Sequence, residues 1–206
     1  MNAPASTAPG LDFWFEFAST YSYPAAMRVN ALAGKAGVAV HFRPFLLGPI
    51  LKAQGWDTSP FNLYPAKGHH MWRDVERTCD DLALPFRRPE AFPQSSVLAA
   101  RVALVGLADR WGEDFCRAVY HAEFADGRRI DDLETVGAIL SGLKVDADTA
   151  IATAHSDAIK EKLRSETATA QQLGIFGAPS FTTRDGELFW GNDRLEPALA
   201  WAKRAS

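Results

Sequence analysis

The sequence predicts an α/β domain whose sheet is interrupted by a helical insertion. A β-α-β pattern near the start, helical periodicity over residues 71–173 and a β-β-α pattern at the end indicate this fold class. Neither terminal pattern has enough strands to bury a sheet alone. We therefore expect one sheet domain with halves at residues 11–66 and 174–206, split by an all-helical insertion domain at residues 67–173.

The first pattern begins with residues 11–18, which are dense in aromatic side chains and predict a central strand buried on both faces. Residues 19–22 (STYS) supply hydroxyls suited to helix capping, and a helix is predicted from 23 to 36. Gly37 ends this helix, and residues 38–44 alternate as a second strand. A β-α-β unit of this kind favours a parallel strand pair.

Residues 46–68 contain three prolines and little periodicity, which predicts a long functional loop ordered by its aromatic side chains. The helices predicted beyond it cover residues 71–82, 96–111, 113–124, 132–140, 146–155 and 156–173. Strands are predicted at 180–183 and 188–190, and Asp185-Gly186 between them favours a hairpin turn. A short closing helix is predicted over 196–204.

Composition argues against several functional classes. The 206-residue chain is 47% hydrophobic with a net charge of -3, and its short Lys/Arg runs offer no basic surface for nucleic acid. Without an 18-residue apolar run or a secretory signal pattern, a cytoplasmic protein without membrane association is expected. Cys79 and Cys116 are expected in the core. The five histidines lack metal-binding spacing, so no metal site is predicted.

Three short segments carry residues suited to chemistry. The turn at Ser19 combines hydroxyls with the positive end of a helix dipole, which favours an anion, although helix capping explains the same hydroxyls. The bond between Ala178 and Pro179 precedes a strand, where a cis peptide is an alternative to the commoner trans form. Asn192 and Asp193 follow the last strand and suit either a hydrogen-bonding site or the N-cap of the closing helix.

Four segments together carry a family resemblance. They are residues 12–23 (DFWFEFASTYSY), 64–68 (YPAKG), 174–181 (GIFGAPSF) and 186–196 (GELFWGNDRLE). These segments closely resemble the 2-hydroxychromene-2-carboxylate isomerases, and the kappa-class glutathione transferases are similar at the same places. Both families belong with the thioredoxin-like disulfide oxidoreductases that carry a helical insertion. The resemblance therefore implies a thioredoxin-like sheet domain interrupted by helices, with Pro179 in the cis form.

The resemblance also assigns the turn at the start of the first helix. Ser19 falls where the oxidoreductases have a nucleophilic cysteine and Ser22 where they have the resolving one, so thiol-disulfide exchange at this site is excluded. The implied nucleophile is a borrowed thiol, that of glutathione, and Ser19 is the implied catalytic residue because its hydroxyl stabilises the thiolate. Thr20 stands where the family commonly has proline and adds a second hydroxyl.

Ligand contacts are implied by the same resemblance. Asn192 and Asp193 match positions that hold the γ-glutamyl end of glutathione, and Ala178 offers backbone groups beside Pro179. Lys67 matches a lysine suited to a carboxylate of glutathione or of the substrate.

Aromatic residues of the long loop are candidates for a wall that holds an aromatic substrate. Trp56 and Tyr64, with Phe61 and Trp72, suit this role and equally suit the core.

The activity implied by the resemblance is glutathione-dependent isomerisation in aromatic catabolism. A 2-hydroxychromene-2-carboxylate-type substrate is converted to a trans-o-hydroxybenzylidenepyruvate-type product by reversible thiolate addition, which consumes no glutathione. A kappa-like glutathione transferase is the alternative enzyme, and a non-catalytic binder of glutathione or another small molecule is an alternative of a different class. The expected partners are a small aromatic substrate and a second copy of the chain in a homodimer.

Overall fold

The first strand lies inside a four-stranded sheet in the computed structural model, which describes residues 9–205. The strand order is β2-β1-β3-β4. The strands are β1 (Gly10–Phe15), β2 (Ala39–Pro44), β3 (Ser180–Thr183) and β4 (Leu188–Trp190). The β1 and β2 strands are parallel, whereas β3 is antiparallel to both β1 and β4. The predicted parallel pair and the predicted hairpin are both confirmed.

Both faces of β1 are buried, as its aromatic sequence predicts. Phe13 and Phe15 face the larger core, where Phe13 stacks on Phe181 with ring centroids 5.5 Å apart. Trp14 faces the opposite core and donates from Nε1 to Thr182 Oγ1 at 2.9 Å, which satisfies the one polar atom of the indole. Because both faces of β1 are buried, the strand is held firmly in the sheet, and the turn that follows it starts from a fixed position.

Within residues 9–205, one helix connects β1 to β2, eight further helices connect β2 to β3, and the last helix follows β4. The helices are α1 (Ser22–Ala36), α2 (Leu47–Ala53), α3 (Pro60–Leu63), α4 (Pro65–Asp81), α5 (Val97–Ala108), α6 (Gly112–Phe124), α7 (Leu133–Gly142), α8 (Ala147–Ala154), α9 (Asp157–Gln172) and α10 (Leu195–Arg204). The six helices predicted over 71–173 and the closing helix are all present. Gly37 ends α1 with φ at 70°, a left-handed conformation that glycine adopts without steric cost.

The prediction of a long loop over 46–68 is partly wrong, because this segment contains α2, α3 and the first turn of α4. Pro60 and Pro65 occupy the first positions of α3 and α4. Proline is tolerated there because the first N–H groups of a helix have no intrahelical partner. These prolines therefore begin helices, whereas the sequence analysis treated them as signs of a loop.

The closing helix α10 begins after a separate short turn. Asn192–Arg194 form a short 3₁₀ turn, and the N-cap of α10 is Arg194 without a capping side-chain bond. The interpretation of Asn192 or Asp193 as the N-cap is therefore wrong, since the extra turn separates them from the helix.

Cys79 and Cys116 are both buried in the core, as expected. Burial raises the pKa of the Cys79 thiol to about 11.

Within residues 9–205, no helix is both long and apolar enough to cross a membrane. Over the same range, no group of three or more histidine, cysteine or acidic side chains is placed to hold a metal ion.

Candidate active site

A cavity of about 940 Å³ opens where the end of β1 meets the helices. Its sheet-side wall consists of Glu16, residues 18–21, residues 176–178 and Trp190. Its helical wall consists of the lining residues between 46 and 71, and residues 92–97 close the third side. The lining is mainly apolar with a few polar groups, which is typical of sites for small organic molecules.

Ser19 lies on the sheet-side wall, at the turn between β1 and α1. Its Oγ donates to the backbone oxygen of Ala178 at 2.8 Å and accepts from the backbone N–H of Ser22 at 3.3 Å. The turn is closed by the Ser19 N–H, which donates to the Glu16 backbone oxygen at 3.0 Å. The alternative that Ser19 caps α1 is wrong, because the N-cap of the helix is Tyr21 without a side-chain capping bond. One Ser19 hydroxyl bond lies within the turn, and the other joins the turn to a segment remote in sequence.

The segment that Ser19 contacts contains the cis bond between Ala178 and Pro179, and the expectation of a cis proline is confirmed. Gly177 lets the Trp190 side chain approach this segment, because a Cβ atom at this position would lie 2.4 Å from Trp190 Nε1. Trp190 also packs edge to face against Phe176, with ring centroids 4.9 Å apart. This wall therefore combines backbone polar groups with a half-exposed aromatic pair.

Glu16 is a cavity-lining carboxylate that the sequence analysis missed. Its Oε2 accepts from the Leu47 N–H at 2.8 Å and its Oε1 from the Ala18 N–H at 3.4 Å, so it joins the turn to α2. Burial raises the pKa of this carboxyl, although the hydrogen bonds oppose the shift. An acidic residue inside an otherwise apolar strand segment was the available sequence signal.

Glu123 on α6 is a second buried carboxyl near Glu16, and it was also missed. Neither of its side-chain oxygens has a hydrogen-bond partner among residues 9–205. Burial, and next the negative charge of Glu16, raise the pKa of Glu123 well above its ordinary value. The protonated form is therefore favoured in the folded protein.

The helical wall contains three of the predicted substrate residues, Trp56, Phe61 and Lys67. The helices α3 and α4 are in close contact in this wall, because a Cβ atom at Gly68 would lie 2.4 Å from the Phe61 backbone oxygen. Tyr64 lies outside the cavity lining and is 51% exposed, with Lys67 Nζ 5.0 Å from the centre of its ring.

Trp72 belongs to the core, which was one of the two alternatives for this residue. It is buried on α4 and packs edge to face against Phe92, with ring centroids 4.7 Å apart. Phe92 itself lines the cavity, so Trp72 supports the wall from behind.

Asn192, Asp193 and Pro179 are not among the residues that line the cavity. Arg28 donates to the backbone and side-chain oxygens of Asn192 at 3.0 and 3.1 Å. Asp193 pairs with Arg194 at 3.3 Å and keeps 72% of its side chain exposed. Burial, then the charge of Asp74 and less strongly that of Asp193, raise the pKa of the cavity-lining Tyr21. The exposed Asp193 carboxylate therefore lies close enough to the start of α1 for its charge to disfavour ionisation of Tyr21.

Comparison with known proteins identifies the family of this chain. The family model described as DSBA-like thioredoxin domain matches residues 10–199. A 2-hydroxychromene-2-carboxylate isomerase of Sphingobium xenophagum is 31% identical over 188 residues, covering 90% of this chain and 94% of the relative. Glutathione S-transferase kappa 2 of Caenorhabditis elegans is 26% identical over 196 residues, covering 89% of this chain and 87% of that protein.

A solved structure of a 2-hydroxychromene-2-carboxylate isomerase shares the fold with a TM-score of 0.84, at 24% identity and with 95% of both chains covered. The predicted thioredoxin-like fold with its helical insertion is confirmed. The chain belongs to the DSBA-like thioredoxin domain family, among relatives that include 2-hydroxychromene-2-carboxylate isomerases and kappa-class glutathione transferases.

Proposed function

We propose that the protein is a glutathione-dependent isomerase of 2-hydroxychromene-2-carboxylate-type compounds. One observation carries the proposal: an apolar cavity opens at an anion-favouring helix start, yet both cysteines of the chain are buried elsewhere in the core. A thiol brought by a ligand suits this site. The 31% identity to a 2-hydroxychromene-2-carboxylate isomerase supports that choice of reaction.

The residues around the cavity fit glutathione. The start of α1 is the positive end of a helix dipole, and the hydroxyls of Ser19 and Thr20 lie in the same wall. Lys67 in the opposite wall suits a carboxylate of glutathione or of the substrate, and the exposed Asp193 carboxylate suits an ammonium group. When bound, glutathione supplies a thiolate nucleophile that adds to an unsaturated carboxylate and leaves again.

The chain itself contributes orientation and electrostatics. The positive end of α1 and the hydroxyls of its first turn favour an anionic sulfur, with Ser19 as the proposed catalytic residue beside it. Glu16 holds this turn against α2 through the Leu47 N–H. Trp56 and Phe61 supply an apolar surface for the ring system and exclude water from it.

The test is an assay of purified protein with a 2-hydroxychromene-2-carboxylate, followed by ultraviolet absorbance, with and without glutathione. We expect interconversion with the corresponding benzylidenepyruvate only when glutathione is present. No interconversion in its presence contradicts the proposal for this substrate.

A kappa-like transferase is the second candidate, favoured by the 26% identity to glutathione S-transferase kappa 2. Conjugation of glutathione to a chlorinated nitrobenzene, without isomerisation, supports this candidate. Measurable glutathione affinity with neither activity supports a non-catalytic binder.

A further inference from the structure

The proposed reaction contains two chemical changes, and a thiol serves only one of them. The closed chromene substrate and the open product are isomers. Opening breaks the bond between C2 and the ring oxygen, and the hydrogen of the 2-hydroxyl group ends on the phenolic oxygen. Addition and loss of a thiol then allow the double bond to rotate from cis to trans. The first change needs a group in the cavity that accepts a proton and returns it.

Glu16 is placed for this proton transfer. Among the described residues that line the cavity, the acidic side chains are Glu16 and Asp57, and Asp57 is exposed whereas Glu16 is 6% exposed. The Ser19 N–H donates to the Glu16 backbone oxygen at 3.0 Å, so the Glu16 carboxyl and the Ser19 hydroxyl belong to one turn. In a substrate whose double bond lies at a sulfur beside Ser19, the oxygens on the neighbouring C2 therefore lie at the same wall.

The carboxyl group of Glu16 is held at one oxygen more firmly than at the other. Oε2 accepts from the Leu47 N–H at 2.8 Å, whereas the Ala18 N–H lies 3.4 Å from Oε1, which is long for a hydrogen bond. A substrate hydroxyl replaces such a weak bond at little cost. Burial raises the pKa of Glu16 while donors such as the Ser96 hydroxyl oppose the shift, which suits a group that takes up and releases a proton.

We propose that Glu16 is the catalytic residue that transfers the proton during ring opening. This inference rests on the proposed function, because it requires a chromene carboxylate in the cavity, and Ser19 keeps its role beside the sulfur. The Glu16 carboxylate accepts the hydrogen of the 2-hydroxyl group as that C–O bond becomes a carbonyl. The bond between C2 and the ring oxygen breaks with its electrons on the ring oxygen, which then takes the proton from Glu16. One proton moves, and no further reactant is consumed.

Two substrates separate ring opening from thiol chemistry. One is the closed 2-hydroxychromene-2-carboxylate, and the other is cis-o-methoxybenzylidenepyruvate, an ether whose methylated oxygen prevents ring closure. Glu16→Gln keeps an oxygen that accepts from the Leu47 N–H but transfers no proton. With saturating glutathione, we expect Glu16→Gln to lower kcat about 100-fold for the closed substrate and to leave kcat for the ether nearly unchanged. Ser19→Ala lowers kcat for both substrates.

A measurement without glutathione gives a readout that does not depend on isomerisation. The closed substrate and its cis open form exchange without a thiol, and we expect the unsubstituted protein to speed this exchange, measured by NMR, whereas the trans product still requires glutathione. Glu16→Gln does not speed the exchange, although its glutathione affinity, measured by calorimetry, is unchanged and shows that it is folded. If Glu16→Gln does not fold, Glu16→Asp replaces it, and its shorter carboxyl slows the closed substrate more than the ether.

The results that overturn the inference have separate meanings. Equal losses of kcat for the closed substrate and the ether show that Glu16 only holds the turn. An unchanged kcat for both substrates in Glu16→Gln shows that another group moves the proton. Either result leaves the proposed function intact, whereas failure of the unsubstituted protein to isomerise both substrates with glutathione overturns the proposed function together with this inference.

Discussion

The sheet-side and helical walls of the cavity are built in different ways. On the sheet side, residues 13–17 are all buried, and Ser19 bonds to Ala178 across the fold. On the helical side, no residue from 52 to 67 is buried. Long-range bonds hold only the start of this wall, where the Leu47 N–H donates to Glu16. The hydrogen bonds between residues 52 and 67 are local, such as the Ser59 hydroxyl that accepts from the Phe61 N–H at 3.3 Å.

This difference separates two demands on an enzyme site. Groups that act on reacting atoms need fixed positions, which long-range bonds and a packed core provide. Groups that hold the rest of a substrate tolerate more variation, and short, half-exposed helices provide such a surface. We therefore expect substitutions on the sheet side to change stability and thiol chemistry, and those on the helical side to change substrate affinity.

The largest effect is expected from the core behind the sheet-side wall. Phe15 is fully buried and packs against Phe17 and Phe42. Phe15→Ala leaves a cavity and lowers the free energy of unfolding by about 3–5 kcal/mol, measured by urea denaturation. Phe61→Ala on the half-buried helical wall is the matched comparison and costs about 1 kcal/mol. Equal losses from the two substitutions contradict the contrast between the walls.

A smaller effect is expected where the helical wall is tightest. In Gly68→Val the added side chain meets the Phe61 backbone oxygen, which a Cβ atom would approach to 2.4 Å, so α3 must move from α4. We expect a loss of about 1–3 kcal/mol in the free energy of unfolding, together with a raised KM for the aromatic substrate and little change in glutathione affinity.

Gly137→Ala on α7 is the control for this substitution, since a Cβ atom there meets nothing within 4 Å. It should be neutral or stabilising by up to about 1 kcal/mol, because alanine favours a helix more than glycine does. A fall in glutathione affinity in Gly68→Val as large as the change in KM shows that the two walls are not separable.

The elements that the sequence predicts best are those with local causes. Strands β3 and β4 were predicted with their observed bounds, because alternation and the Asp185-Gly186 turn act over a few residues. Helices α2 and α3 were missed, since proline marks a helix start and a loop equally well out of context. The formation of these two helices depends on the residues they pack against, and those residues are distant in sequence and not marked by any local pattern.

The candidate site was predicted unevenly for a similar reason. Family resemblance implied that Ser19 and Ala178 both contact glutathione, and the structure joins these two residues directly. Spacing alone does not predict that bond, because it joins residues from opposite ends of the chain. The same limit applies to Glu123, whose lack of partners depends on the packing of α6, and to Trp72, whose place in the core depends on Phe92.

The buried carboxyl behind the sheet-side wall predicts a pH dependence. The folded-state pKa of Glu123 lies above its ordinary value of 4.5. The protonated Glu123 side chain therefore makes its full contribution to the free energy of unfolding below pH 4.5, and this contribution is lost as pH rises toward the folded-state pKa. Glu123→Gln removes this loss. Its free energy of unfolding, relative to the unsubstituted protein, therefore rises by up to about 1.4 kcal/mol per pH unit in that window.

Urea denaturation at several pH values between about 5 and 8 measures this difference. Glu134→Gln on the exposed face of α7 is the control and should run parallel to the unsubstituted protein. A Glu123→Gln curve that is also parallel shows that the Glu123 carboxyl is not responsible for the pH dependence.

The smallest effect is expected on the helical wall, where the two predicted substrate aromatics occupy different places. Trp56 lines the cavity, whereas Tyr64 lies outside the lining and is half exposed. Trp56→Ala removes apolar surface from the substrate side, so KM for the chromene carboxylate rises about five- to tenfold while the pKa of the bound thiol is unchanged. Tyr64→Ala leaves KM within about twofold. A larger change in KM in Tyr64→Ala than in Trp56→Ala would mean that the substrate contacts the surface around Tyr64, outside the cavity lining. The helical wall would then not be the surface that recognises the substrate.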